Sequence, residues 1–351
     1  MEKNRKYFHS LTGLKAVMCL IIVFHHTLPE TPLFDAIPLS SLIRYVGGSL
    51  GNSVFFMISG FLMVNAYRDR IQDGTVAFGP FLYSKISKFY PIYLLTNFIA
   101  VFFTRIFSYG LSGVTAETIA MVLLMQEKGF LRSGYPFSGT SWFINMLLAC
   151  NIVFFGVCYL AKNRTAYRCM LAGVIMWGYV AMTHGYELPL LHQFMGVGLV
   201  NFFLGCAIAE VYPCLSDRQH RWFRPLSLLG LALIGALMVI NGVDNALGHQ
   251  YVGLAFGVSP LIIYAALEIP LLKRILSCGA LKCLAKISMS VFFWHMVVHN
   301  VLFWVLPHFV KGEINQDLWF AIYLALAMVV SILSYKYLEN GLFRKKTGKP
   351  Q

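Results

Sequence analysis

Long apolar runs separated by short polar segments dominate the pattern of this chain. A helix rises about 1.5 Å per residue and the hydrocarbon core of a bilayer is about 30 Å thick, so each crossing needs about 20 apolar residues. A run over 115–126 is too short to cross and is predicted to be a re-entrant or interfacial helix. Ten other runs are long enough, and spans are predicted near 11–28, 43–66, 89–109, 141–161, 166–183, 193–212, 225–243, 248–268, 287–306 and 317–338.

The apolar runs are continuous rather than alternating, which favours helices over the strands of a membrane barrel. The composition agrees, because 58% of the residues are hydrophobic, 12% are charged and the mean hydropathy is +0.66. A soluble domain of 351 residues is more polar than this. We therefore predict an all-α, polytopic membrane protein in which residues 1–351 form a single domain without internal repeats.

The basic residues are divided unevenly between the two sides of the predicted membrane protein. With the N-terminus inside, 22 of the 28 Lys and Arg residues fall in cytoplasmic segments and five in outer segments. This split follows the positive-inside rule and predicts that both termini are cytoplasmic. Topology and anionic lipid then account for the net charge of +13, so nucleic acid is not an expected partner. The eight cysteines form no C-x-x-C pair and are expected to be reduced thiols that bind no metal.

The first apolar run, "GLKAVMCLIIVFHHTL" over 13–28, contains three polar side chains that are costly in a membrane. Lys15 is either a boundary residue that anchors the helix or part of a site near the cytoplasmic interface. His26 lies eleven residues further on, which is roughly 16 Å along the helix and nearly the same helical face. His25 points about 100° away from that face. His26 is either a hydrogen-bonding or headgroup residue or a reactive group.

A cation at the cytoplasmic mouth and an imidazole deeper along one helical stripe suit a long anionic molecule with a reactive end. An acyl-CoA has this shape, because its charged nucleotide carries a slim arm that ends in a thioester. A neutral imidazole is a suitable general base for an acceptor hydroxyl near pH 7. The spacing alone does not identify the cofactor.

Several segments resemble, in order, the motifs of the acyltransferase 3 family of integral membrane O-acyltransferases. The first span of that family carries D-G-L-R followed ten residues later by histidine, and "LTGLKAVMCLIIVFHH" over 11–26 is similar. Each match is weak alone, but the ordered set covers nearly the whole chain. The other matching segments are "SVFFMISGFLM" (53–63), "YSKISKFYPIY" (83–93), "SWFINMLL" (141–148), "NFFLGCAIAE" (201–210), "SMSVFFWH" (288–295) and "SYKYLEN" (334–340).

The chain departs from the family pattern at several positions. Thr12 and Lys15 stand where the family has aspartate and arginine, and Lys85 and Lys88 replace the arginines that precede the proline. Lysine keeps the positive charge but loses the bidentate fork of arginine. Leu147 occupies the position of a glutamate in members with a fused esterase-like domain, so the chain resembles the short, stand-alone branch.

The resemblance implies transfer of an acyl group, commonly acetyl, from cytosolic acetyl-CoA or another acyl-CoA to a hydroxyl. The acceptor would be a cell-envelope polysaccharide or its lipid-linked precursor, at the bacterial cytoplasmic membrane. His26 is implied as the general base, and His25 is a second catalytic candidate. Lys15, Lys85 and Lys88 are implied as the partners of the donor's anionic groups.

Three further residues are candidates for the same site. Ser59 would lie beside the donor, although the neighbouring Gly60 could equally mark a close contact between helices. Trp142 either belongs to the interfacial aromatic belt or stacks on a glycan. His295 either lines the acceptor side or makes a structural hydrogen bond. His295 and His299 have an i, i+4 spacing that can bind zinc, but no acidic or cysteine group completes a ligand set.

Two other function classes stay open beside the enzyme. A transporter or flippase for a lipid-linked sugar or acylated metabolite would also be polytopic, but no inverted repeat or matching pair of broken spans is found. A non-catalytic membrane scaffold would not need the lysine and histidine stripe. For the enzyme, a carboxylate that orients His26 would come from an outer loop, through Glu30 or Asp35.

Overall fold

The computed structural model describes most of the chain, and it is helical throughout that part. It covers residues 8–29, 31–102, 115, 119, 122–123, 140–184, 188, 190–242, 246–247, 249–306, 309 and 315–342. These residues contain no strand, which confirms the all-α class predicted from the apolar runs. The re-entrant helix predicted over 115–126 lies mostly outside them.

Twelve helical elements follow one another along the described residues, and several are extended by a short π-helical turn. The π turns are Leu254–Val258 inside α9, Val301–Val305 after α11 and Tyr335–Leu342 after α12. The helices are α1 (His9–Thr27), α2 (Pro32–Asp35), α3 (Pro38–Gln72), α4 (Phe78–Val101), α5 (Ser141–Leu160), α6 (Arg164–His184), α7 (Gln193–Val211), α8 (Asp217–Asn241), α9 (Gln250–Glu268), α10 (Pro270–Leu276), α11 (Gly279–Asn300) and α12 (Gln316–Ser334).

Eight of these helices are long and apolar enough to cross a membrane, counted over the described residues. They are α1, α3, α5, α7, α8, α9, α11 and α12, and they make the chain a multi-pass membrane protein. The predicted third span overlaps α4 over 89–101, and the predicted fifth span corresponds to α6. Both helices carry more polar residues, such as Lys85 in α4 and Arg168 in α6. That α4 and α6 also cross the membrane, for a total of ten crossings, stays a prediction.

Two helices extend well beyond their predicted spans. α3 runs over 35 residues, which is about 52 Å and longer than the hydrocarbon core. α4 begins at Phe78, eleven residues before the predicted span, so Lys85 and Lys88 lie on a helix. Apolar runs mark the part of a helix that lies in hydrocarbon, whereas the hydrogen-bonded helix continues into the more polar flanks. Pro91 lies inside α4 without ending it.

α3 and α7 form the centre of the bundle, and α1 packs against α3 and α11. Their buried side chains belong to one continuous apolar core. α8 lies at the periphery, where side chains such as Trp222 and Leu229 are exposed. These outward apolar side chains are what a lipid-facing helix requires.

A buried carboxylate joins three helix ends at the side predicted to be cytoplasmic. Glu210 at the end of α7 is only 4% exposed and forms an ion pair with Arg68 of α3. Its second oxygen lies 3.2 Å from Nε of Arg164 and 3.9 Å from Nε of Arg168, both on α6. A buried carboxylate is tolerated only when it is paired in this way.

Glu210→Gln is expected to destabilise the protein by about 1–3 kcal/mol, because a neutral amide removes the buried one of the two carboxylates that pair with Arg68. The measurement is the melting temperature of the detergent-purified protein. Asp69→Asn is the matched control, since Asp69 also bonds Arg68 but its side chain is 55% exposed. That control should cost less than about 1 kcal/mol. Equal losses would show that burial of Glu210 contributes nothing extra.

Candidate active site

The two adjacent histidines of α1 face different neighbours. The Nδ1 atom of His25 lies 3.2 Å from the carbonyl oxygen of Ile43 at the start of α3. Its ring lies directly on Gly48, where an added Cβ would come within 2.7 Å of Nε2. His25 therefore holds α1 against α3, and a glycine is needed at 48 to admit the ring.

His26 points to α11 instead. Its side chain is exposed, yet its ring centre lies 5.6 Å from that of the fully buried His295, with the planes inclined by 32°. The His25 ring lies 4.9 Å away on its other side. The His26 ring therefore lies at the surface of the bundle, against the buried His295.

His295 is held by its own helix. Its Nδ1 atom lies 3.1 Å from the carbonyl oxygen of Val291, whereas its Nε2 atom has no hydrogen-bond partner among the described residues. One turn further on, His299 stacks on Phe303 with ring centres 4.8 Å apart, and its Nδ1 lies 3.4 Å from the amide oxygen of Asn300. The described residues contain no group of three or more metal-ligating side chains around these histidines.

An aromatic path connects Trp142 with the histidines. Trp142 is the second residue of α5. Its ring centre lies 4.7 Å from that of Phe194 and 6.2 Å from that of Phe143. Phe143 lies 5.2 Å from Phe292, and Phe292 lies 6.0 Å from His295. This path joins Trp142 and His295, two residues predicted for the acceptor, through the buried rings of Phe143 and Phe292.

The outer carboxylate predicted to orient His26 has another partner. Asp35 accepts a hydrogen bond of 2.6 Å from the Arg44 guanidinium. Asp317, at the start of α12, accepts one of 2.7 Å from the Thr31 hydroxyl. Glu30 lies outside the described residues.

Basic residues gather at the opposite end of α1. The Lys15 ammonium interacts electrostatically with Lys88 of α4, so the first span and the α4 helix do share one positive region. Lys88 in turn interacts with Glu339, whose carboxylate accepts a short hydrogen bond from Ser290. The sequence analysis gave no role to Glu339, although it lies in the "SYKYLEN" segment that resembles the family motif.

Two further predicted donor residues are engaged within the protein. The Lys85 ammonium lies 3.9 Å from the centre of the Tyr67 ring and 3.3 Å from the sulfur of Met63. This cation–π contact holds Lys85 against α3. The Ser59 hydroxyl donates a 2.8 Å hydrogen bond to the carbonyl oxygen of Phe55, one turn earlier in α3.

A polar cavity of about 680 Å³ lies apart from these residues, between the ends of α3, α5, α6 and α7. Arg68, Arg164, Tyr167 and Glu210 are among its lining residues. Of its six charged groups, Arg68 and Arg164 are paired with Glu210, and Asp69 is paired with Arg68. None of the predicted site residues lines it, so we treat it as part of the structural network.

These features define a multi-pass helical membrane protein whose first span carries a lysine at one end and a contacting pair of histidine rings at the other. Residues 8–336 match the sequence profile of the acyltransferase 3 family, which is described as an acyltransferase domain. The chain therefore belongs to the acyltransferase 3 family, as the ordered motifs predicted.

The curated relatives agree with this family at low identity. The O-acetyltransferase OatA of Staphylococcus aureus (strain NCTC 8325 / PS 47) is 21% identical over 366 residues, which cover 97% of this chain and 58% of the relative. Protein 2 in the picA locus of Rhizobium radiobacter is 31% identical over 105 residues, 30% of this chain and 50% of the relative. The chain thus spans little more than half the length of these relatives. No solved structure matches it significantly.

Proposed function

We propose that the chain is a membrane O-acyltransferase of the bacterial cytoplasmic membrane. It moves an acyl group, most simply acetyl, from acyl-CoA on the cytoplasmic side to a hydroxyl of a cell-envelope polysaccharide or its lipid-linked precursor. Family membership and the name of the OatA relative support the reaction class. The observation that carries the proposal is the arrangement on α1, where the charges of Lys15 and Lys88 repel each other at one end and the His26 ring centre lies 5.6 Å from that of His295 at the other.

The basic end of α1 is proposed to bind the donor's phosphates. Lys15 and Lys88 are two like charges that repel each other, and Glu339 supplies a single counter-charge to Lys88, so a net positive charge is left for an anion. Lysine is a point charge that suits phosphate without fixing its orientation. Lys85 adds a third charge on the same helix as Lys88, and Ser59 lies on the face of α3 proposed to line the donor arm.

The histidine end of α1 is proposed to hold the reacting atoms. His26, exposed beside the buried His295, accepts the proton of the acceptor hydroxyl as that oxygen attacks the thioester carbonyl. Trp142, the partly exposed end of the aromatic path, offers a stacking surface for the sugar ring. His25 is the second catalytic candidate, although its bond to Ile43 suits a role in holding α1 in place.

The experiment that tests this function is transfer of labelled acetyl from acetyl-CoA to envelope glycan by membranes with and without the protein. We expect alkali-labile label in the glycan only when the protein is present, and less label when unlabelled CoA competes at the lysine end. Equal labelling in both membranes would overturn the proposal. Movement of a lipid-linked sugar across vesicles without ester formation would instead favour a transporter.

A further inference from the structure

A histidine that acts as a general base needs its other ring nitrogen held by a hydrogen-bond acceptor. That bond fixes the tautomer, so that the nitrogen facing the substrate is bare. A carboxylate usually supplies the acceptor, but the described carboxylate on the nearest outer loop, Asp35, is paired with Arg44. If His26 is the base, another acceptor must lie beside it.

His295 has the properties of that acceptor. A carbonyl oxygen only accepts hydrogen bonds, so the Nδ1 atom that faces the carbonyl of Val291 carries the proton of the neutral ring. Nε2 is then a bare lone pair, fully buried and without a partner in the part of the chain that the structure describes. Buried hydrogen-bond acceptors almost always have a donor, so we expect a hydrogen-bond donor at Nε2 of His295.

The geometry matches the His26 ring as that donor. Two imidazoles joined by one N–H···N bond have ring centres about 5 Å apart, and the centres of His26 and His295 lie 5.6 Å apart. A small rotation of the exposed His26 side chain would bring the two ring centres to this hydrogen-bonded distance. His25 is a poorer acceptor for His26, because its Nε2 edge lies against Gly48 on α3.

We propose that His295 is the positioning residue of the acyl transfer and that its Nε2 accepts the N–H of His26. This inference rests on the function proposed above. The bare nitrogen of His26 then takes the hydroxyl proton, the hydroxyl oxygen bonds to the thioester carbonyl carbon, and the carbon–sulfur bond breaks. The departing thiolate takes the proton back from His26, so His26 ends neutral. His295 keeps its own proton throughout and holds the transient imidazolium by a charge-assisted bond.

The test compares His295→Gln with His295→Leu in acetyl transfer. The side-chain oxygen of glutamine can replace the Nε2 acceptor, whereas leucine fills the space without accepting a hydrogen bond. We expect leucine to lower kcat on the order of 10²-fold with little change in KM for acetyl-CoA, and glutamine to retain at least about tenfold more activity than leucine. Equal activities of the two variants, or a change confined to KM, would overturn the proposal.

Two controls keep the comparison interpretable. His184→Leu removes an exposed histidine of α6 and should leave kcat unchanged, and melting temperatures report whether each variant folds. Should leucine at 295 prevent folding, His295→Met supplies an apolar side chain that adapts to irregular space, and the same tenfold difference from glutamine is expected. If His26→Ala is inactive but His295→Gln and His295→Leu transfer acetyl equally well, only this inference is overturned. A fully active His26→Ala would overturn the base assignment and this inference with it, whereas absence of acetyl transfer by the unmodified protein would overturn the proposed function itself.

Discussion

His26→Ala is expected to lower acetyl transfer by about 10²–10⁴-fold, which is the usual contribution of a positioned general base. The loss should appear in kcat, because His26 is proposed to act on the acceptor hydroxyl and not on the CoA phosphates. The melting temperature should change little, since the side chain is exposed and its truncation leaves no buried cavity. The measurement is initial rates of labelled acetyl transfer by protein at matched membrane levels.

His25→Ala is the neighbouring comparison for this variant. His25 bonds the carbonyl of Ile43 and packs on Gly48, so its removal should lower the melting temperature as well as the rate. A His26→Ala protein that retains normal rates would contradict the base assignment. If His26→Ala lowers the rate only as much as it lowers the melting temperature, His26 has a structural role and not a catalytic one.

The spans of the bundle could be predicted closely wherever a helix ends with its apolar run. The predicted spans 11–28, 141–161 and 193–212 correspond to α1, α5 and α7 with small shifts at their ends. Both ends of α3 and the start of α4 lie outside the predicted spans, because these flanks are more polar and hydropathy reports contact with hydrocarbon rather than helix hydrogen bonds.

Part of the candidate site follows from the sequence alone. Lys15 and His26 share one stripe because helical periodicity fixes their relation within α1. The contact of His26 with His295 joins residues 269 positions apart, and no local pattern determines which faces of α1 and α11 meet. The pairing of Asp35 with Arg44 likewise depends on how α2 folds back onto α3.

The Ser59-Gly60 pair shows how packing decided between two interpretations that the sequence left open. A Cβ added to Gly60 would lie 1.8 Å from the carbonyl oxygen of Phe202, and one added to Gly205 would lie 1.9 Å from that of Met57. α3 and α7 therefore approach each other through reciprocal glycines, as small residues allow in membranes. The structure supports a helix contact at Gly60, and a donor-binding role for Ser59 stays a prediction.

Gly60→Ala is accordingly expected to destabilise the protein by more than about 2 kcal/mol, because the blocking atoms belong to the backbone of α7 and cannot rotate away. The helices must separate along the most buried contact of the bundle, so we expect a lower melting temperature and a lower yield in membranes. Gly156→Ala is the matched control, since a Cβ there meets nothing within 4 Å among the described residues. Alanine is the better helix former, so this control should be neutral or slightly stabilising. Similar behaviour of the two variants would mean that α3 and α7 do not meet through Gly60, and the position of α3 beside the histidines would then need revision.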